Sequence, residues 1–246
     1  MYNDNKLNCD DWMSIGTNSR AFLDDSSKFM DCGVSVSNAE KENEQLSIAS
    51  TMITNDGIIL IADSRSIKNN MIDTDSYQKI VYLSNYNCGV ISTDLNEFGG
   101  KTLKQCLEYE MEKYTSCDPW LSLKKFIKLF RDDVFQYIRP TGIFTVFRFA
   151  FYIKEKWGLV PTILLLIYEK NAIEIKTETL TVPYVLMSNG ITWGIEYLKS
   201  HESLSKSSNE ELKILKEKYE MMIKLDNLNQ THSYIGGEVQ SLIIRP

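Results

Sequence analysis

The sequence predicts an α+β fold built in layers, with two sheets face to face and helices covering both outer faces. Two observations carry this reading: antiparallel strand pairs recur along the chain, and pairs of amphipathic helices alternate with them. Elements in that order bury their apolar faces by stacking in layers.

Residues 1–46 are rich in Asn, Asp, Ser and Lys and carry no periodic apolar run, so they read as a polar tail or propeptide, poorly ordered by itself. Residues 47–246 form one folded domain. Within it, residues 47–53 and 57–62 are strands joined by Thr54-Asn55-Asp56-Gly57, where Asp-Gly suits the positive φ of a tight hairpin. A second strand pair, 79–83 and 88–92, flanks the turn formers Asn85-Tyr86-Asn87. Leu103, Leu107, Met111 and Tyr114 then recur at helical spacing. Asp118-Pro119 starts another helix, whose stripe runs through Leu123, Ile127, Phe130, Val134 and Ile138 to Arg139-Pro140. Residues 142–158 suit a helix by the spacing of Phe144, Phe147 and Phe151 and a strand by composition, and the sequence does not decide between them. The same aromatics serve either core packing or a partner-binding face. Strands return at 162–168, 172–176 and 182–187. Helices follow at 192–199 and from an N-cap at Asn209 through Leu212, Leu215, Tyr219 and Met222, and 239–244 is the last strand.

Composition excludes several functions. Lys and Arg total 27 against 33 Asp and Glu, a net charge of -6. Neither nucleic acid nor a membrane surface is therefore an expected partner. The 5 cysteines have no CxxC spacing, which indicates neither a disulfide framework nor a zinc site and fits a cytoplasmic setting. The start of the chain lacks the basic and apolar regions of a signal peptide. In the most apolar stretch, 142–168, charges such as Arg148 and Lys154 would each cost roughly 2.5 to 3.5 kcal/mol at bilayer depth, so a buried core is expected there. His201 and His232 lack metalloprotease spacing. Gly99-Gly100-Lys101-Thr102 lacks the earlier glycine of a P-loop and reads as a helix-starting loop. The charged run 210–224 is the solvated face of a helix.

The most informative stretch is 47–79. Asp63 and Lys79 are charges in apolar strand contexts, spaced from Ser47 as an activating pair would be from a nucleophile. Together with the Asp56-Gly57 turn, Ala62-Asp63-Ser64-Arg65, Lys79-Ile80, the strand ending Asn189-Gly190 and Ile235-Gly236-Gly237, this stretch resembles the proteasome β-type family of the N-terminal nucleophile (Ntn) hydrolases. The resemblance spans residues 47–244 and implies a four-layer αββα sandwich. It also implies a threonine- or serine-type peptidase or amidase that releases its own N-terminal nucleophile by autoprocessing. Ser47 falls at the nucleophile, Asp63 at the orienting carboxylate and Lys79 at the lysine that stabilises developing charge, while Arg65 falls at an arginine of structural role. Ser50 and Thr51, on the same strand, fit the register less well. A peptide or small amide substrate and a homo-oligomer are implied, and no metal or organic cofactor.

The chain departs from that family at several positions. Leu46 precedes the nucleophile where self-cleaving members carry glycine, and Thr93 stands at a glycine whose N–H stabilises an oxyanion. Asn189 replaces an auxiliary serine, and His232 and Ile235 replace a supporting aspartate and serine. Two further readings stay open: a proteasome-like scaffold without activity, and an amide-processing enzyme with a small-molecule substrate.

Overall fold

The computed structural model describes residues 47–68, 71–93, 100–112, 123, 125–128, 130–132, 134, 145–169, 172–178, 186–199, 207–228 and 233–246. The expected tail, the Asp118-Pro119 helix start, the Arg139-Pro140 stop, Tyr114, Ile138, Phe144, residues 182–185 and both histidines lie outside these residues. The chain divides after Glu40, and every described residue belongs to the unit Lys41–Pro246.

Strands β1 (Ile48–Ile53) and β2 (Ile58–Ala62) are buried at every position. Their burial and largely apolar character follow, because each face of this hairpin packs on a different layer. The hairpin does not use the positive φ expected of its turn: Asp56 and Gly57 are absent from the left-handed residues. Thr54 closes the loop instead, its N–H and Oγ1 donating to Gly57 O at 2.8 and 2.9 Å. Glycine is required at 57 by space, since a Cβ there would press on Ile243, Ile244 and Ser208.

A short hairpin unforeseen in the sequence, β3 (Ser66–Lys68) with β4 (Met71–Thr74), separates β2 from β5 (Ile80–Leu83). β5 turns into β6 (Cys88–Ser92) through a 3-10 turn ended by Asn87 in the left-handed conformation, as its Asn-rich turn suggested. Thr102 and Gln105 exchange side-chain-to-backbone hydrogen bonds as a capping box for α1 (Leu103–Glu112). The described residues between 123 and 134 are helical.

The ambiguous aromatic stretch is a strand, β7 (Thr145–Glu155), paired along its length with β8 (Gly158–Glu169). Alternation explains the ambiguity. Phe147, Phe149 and Phe151 face the helices, while Val146 and Ala150 face the other sheet, so both sides are apolar. Those rings are core, not a partner-binding face. β9 (Ala172–Glu178), β10 (Leu186–Gly190), α2 (Thr192–Lys199), α3 (Ser208–Asn227) and β11 (Gln240–Ile244) complete the chain. The N-cap of α3 is Ser207 rather than Asn209; its hydroxyl and the Glu210 carboxylate form the reciprocal box that Asn209 cannot.

Among the described residues two larger antiparallel sheets result beside the β3-β4 hairpin, β10-β1-β2-β11 and β5-β6-β7-β8-β9. One apolar cluster joins Ala49, Leu60 and Ile244 of the first to Ile91, Ala150 and Leu165 of the second. A second joins Val90, Phe147 and Phe149 to Leu103, Leu107, Phe126 and Phe130. A third joins Ile48, Met52 and Ile61 to Leu198, Leu215, Tyr219 and Met222 of α2 and α3.

Candidate active site

Ser47, Asp63 and Lys79 sit at strand ends that the fold gathers on one rim. Ser47 immediately precedes β1, Asp63 immediately follows β2, and Lys79 immediately precedes β5 in the opposing sheet. Antiparallel pairing brings the first two together, with Ala49 opposite Ala62 and the Asp63 N–H donating to Ile48 O. Lys79 then reaches both. Its Nζ donates to Ser47 Oγ at 2.6 Å and to Asp63 Oδ1 at 2.7 Å. Ser47 Oγ also lies within 3.3 Å of Asp63 Oδ1, to which it donates. All three are buried, at 3%, 0% and 1% exposure.

A buried ion pair is tolerated only where its remaining hydrogen-bonding capacity is met. Asp63 meets that condition: Oδ1 also accepts from Ile48 N at 3.1 Å, and Oδ2 accepts from Arg65 N and Gly236 N, both at 3.2 Å. Five donors thus fix one carboxylate. The lysine start is fixed separately by Gln240, whose Oε1 accepts from Lys79 N and whose Nε2 donates to Tyr77 O. A cation at hydrogen-bond distance from a serine hydroxyl, in a site shielded from water, stabilises negative charge developing on that oxygen.

Glycines let the backbone close around Ser47. Gly190 pairs with Ile48 at φ 137°, and a Cβ on it would overlap the Ser47 carbonyl. That carbonyl accepts from Ile191 N at 2.9 Å. A Cβ on Gly236 would run into the Arg65 guanidinium. Arg65 is structural: it pairs with Asp75 through Nε at 2.6 Å and donates to Asn227 Oδ1, Ser233 Oγ and Ile235 O. The hydrogen bond and charge of the Arg65 guanidinium hold the Asp75 carboxyl below its ordinary pKa, against the opposing effect of burial.

The other anticipated positions behave differently. The Thr93 N–H is given to Val146 O at 3.4 Å, and its buried hydroxyl has no hydrogen-bond partner among the described residues. Ile235 is an apolar core residue of the third cluster. Asn189 pairs in register with Ala49. Ser50 points away from Lys79, into a buried hydroxyl chain with Ser188 and Tyr219 at 2.7 and 2.6 Å. Burial there pushes the Tyr219 phenol up from its ordinary pKa. Thr51 Oγ1 is buried and has no hydrogen-bond partner among the described residues. Among the described residues no metal-holding group of His, Cys, Asp or Glu gathers, and no helix is long and apolar enough to cross a membrane.

Two residues went unnoticed in the sequence, Gln240 and Asp226. Asp226 did leave a signal, because it continues the buried stripe Leu215, Tyr219 and Met222 of α3 at helical spacing, where a carboxylate is out of place.

Paired antiparallel sheets with helices packed on their other faces define a layered α+β fold. Among solved structures the chain is similar to Anbu from Hyphomicrobium sp. strain MC1, at 14% identity and a TM-score of 0.52 over 80% of this chain and 82% of that one. It is also similar to a Gly-1 mutant of Anbu from the same strain, at 14% identity and a TM-score of 0.55 over 81% and 82%. These likenesses concern the fold. No protein-family model matches the sequence, and no curated protein matches it.

Proposed function

We propose that this chain is a serine-type N-terminal nucleophile hydrolase, related to the proteasome β-type family and acting on peptide or small amide bonds. The observation that carries the proposal is the approach of Lys79 Nζ to both Ser47 Oγ and Asp63 Oδ1 within one buried cluster. The three apolar clusters support the αββα four-layer arrangement that goes with it.

In this reading residues 1–46 are a propeptide, and cleavage of the Leu46–Ser47 bond frees the Ser47 α-amine as general base. The amine takes the Oγ proton while Oγ bonds to the substrate carbonyl carbon. Lys79 stabilises the charge passing through Oγ, and Asp63 holds Lys79 in place. The tetrahedral adduct collapses with loss of the amine half of the amide, which leaves carrying that proton. Water then attacks the Ser47 ester, releasing the acid and restoring the hydroxyl. A cytoplasmic homo-oligomer is the proposed setting.

Intact-mass measurement of purified wild type beside Ser47→Ala tests this directly, with a β-lactone acylating probe added to both. Loss of residues 1–46 and single-site labelling in wild type alone are expected. A wild type that stays full length and takes up no label would overturn the proposal and favour the inactive scaffold.

A further inference from the structure

Beyond the cluster itself, the last turn of α3 carries a carboxylate that organises the approach to it. Asp226 is 3% exposed, and its Oδ2 accepts from Tyr234 N at 2.6 Å, Ile235 N at 2.8 Å and Ser233 Oγ at 3.1 Å. Consecutive backbone donors on one carboxylate oxygen give a turn a defined position, because charge-assisted bonds are both shorter and stronger than neutral ones. The next residue is Gly236, whose N–H donates to Asp63 Oδ2 at 3.2 Å and whose carbonyl accepts from Ser64 N at 3.1 Å. A continuous path thus runs from α3 through 234–236 to Asp63, and from Asp63 Oδ1 to Lys79 and Ser47.

We propose that Asp226 is a positioning residue for this site: by anchoring residues 233–235 it places the Gly236 N–H that orients Asp63 and, through it, Lys79. The proposal rests on the hydrolase reading for its effect on rate, but its geometric part stands apart from catalysis. Ile235 takes part through its N–H while its side chain fills the core, so the side-chain support expected at this position comes from the end of α3.

The test compares Asp226→Asn with wild type in two measurements. One is the rate of propeptide loss and of acylation by the β-lactone, with the probe concentration for half-maximal rate. The other is amide hydrogen exchange at Gly236 and Ile48, two of the three backbone N–H groups held by Asp63. Asparagine keeps size but loses charge. A folded variant that exchanges faster at both amides, and reacts about 10- to 100-fold more slowly at unchanged half-maximal concentration, is the expected result. Wild-type exchange and rate in that variant would overturn the proposal. If wild type neither processes nor labels, the hydrolase reading fails, and exchange decides alone: acceleration at Gly236 and Ile48 upholds the anchoring of Asp63, and unchanged exchange ends it. Should Asp226→Asn not fold, Asp226→Glu moves the charge by one methylene and is judged by the same two outcomes.

Discussion

Gln240, the first residue of the last strand, accepts hydrogen bonds at one side-chain oxygen from the N–H groups of Lys79 at 2.9 Å and Ile80 at 3.3 Å. Its amide nitrogen donates to Tyr77 O at 2.6 Å. One side chain from the first sheet therefore sets where the first strand of the second sheet begins, and with it the root of the lysine.

Replacing Gln240 by leucine strands these backbone groups. A buried donor left without an acceptor costs about 1 to 3 kcal/mol, and urea denaturation should show a loss of that size with an unchanged slope. Labelling of Ser47 should fall more than stability does, because Lys79 loses its fixed root.

The buried pair gives a sharper thermodynamic signature. Lys79→Met leaves the Asp63 carboxylate without its cation, and Asp63→Asn leaves the ammonium without its anion; each should cost about 3 to 5 kcal/mol. The double variant should lose clearly less than the sum, and a double-mutant cycle by chemical denaturation measures the difference. Additive losses would show that the two charges are not coupled.

At Gly190, alanine meets two obstacles, a φ of 137° and the Ser47 carbonyl. Backbone strain of this kind costs about 1 to 3 kcal/mol, and relief by shifting β10 would move Ser47. Thermal unfolding of Gly190→Ala should show the loss, and its Ser47 labelling should drop with it.

Acid sensitivity has an identifiable source away from the site. Asp56 is held at about 2, chiefly by the Ser208 N–H at the start of α3, with Arg245 and Thr54 assisting against the opposing effect of burial. Its folded value lies below its unfolded value of 3.8, so its stabilisation is complete above about pH 4 and is lost as pH falls toward 2. Urea midpoints measured across that window should decline in wild type and decline less in Asp56→Asn.

Much of this was legible in the sequence where the information is local. The β1–β2 hairpin, the Asn87 turn and the order of the α2 and α3 helices follow from runs and turn residues a few positions apart. The Asp63–Lys79 pairing was also readable, because buried charges in apolar strand runs must find partners, while Ser47 was placed beside it by its spacing and the family resemblance. Gln240 and Asp226 were not read, since their partners lie far away in the chain: Gln240 binds backbone 161 residues distant. The strand character of β7 escaped for a physical reason, because a strand covered on both faces lacks the alternation by which strands are recognised. Gly57 was assigned the wrong cause: crowding by Ile243, rather than a left-handed turn, requires the missing side chain.

The bonds that seat Ser47 have a bearing on timing. Its carbonyl is held by Ile191, the following N–H is held by Asp63, and its hydroxyl is held by Lys79. Each of these contacts uses the hydroxyl or the downstream side of the residue, so severing the bond upstream would leave every one of them in place. On the hydrolase reading, precursor and product would then share these contacts at the nucleophile, and its seat would be built before the propeptide leaves.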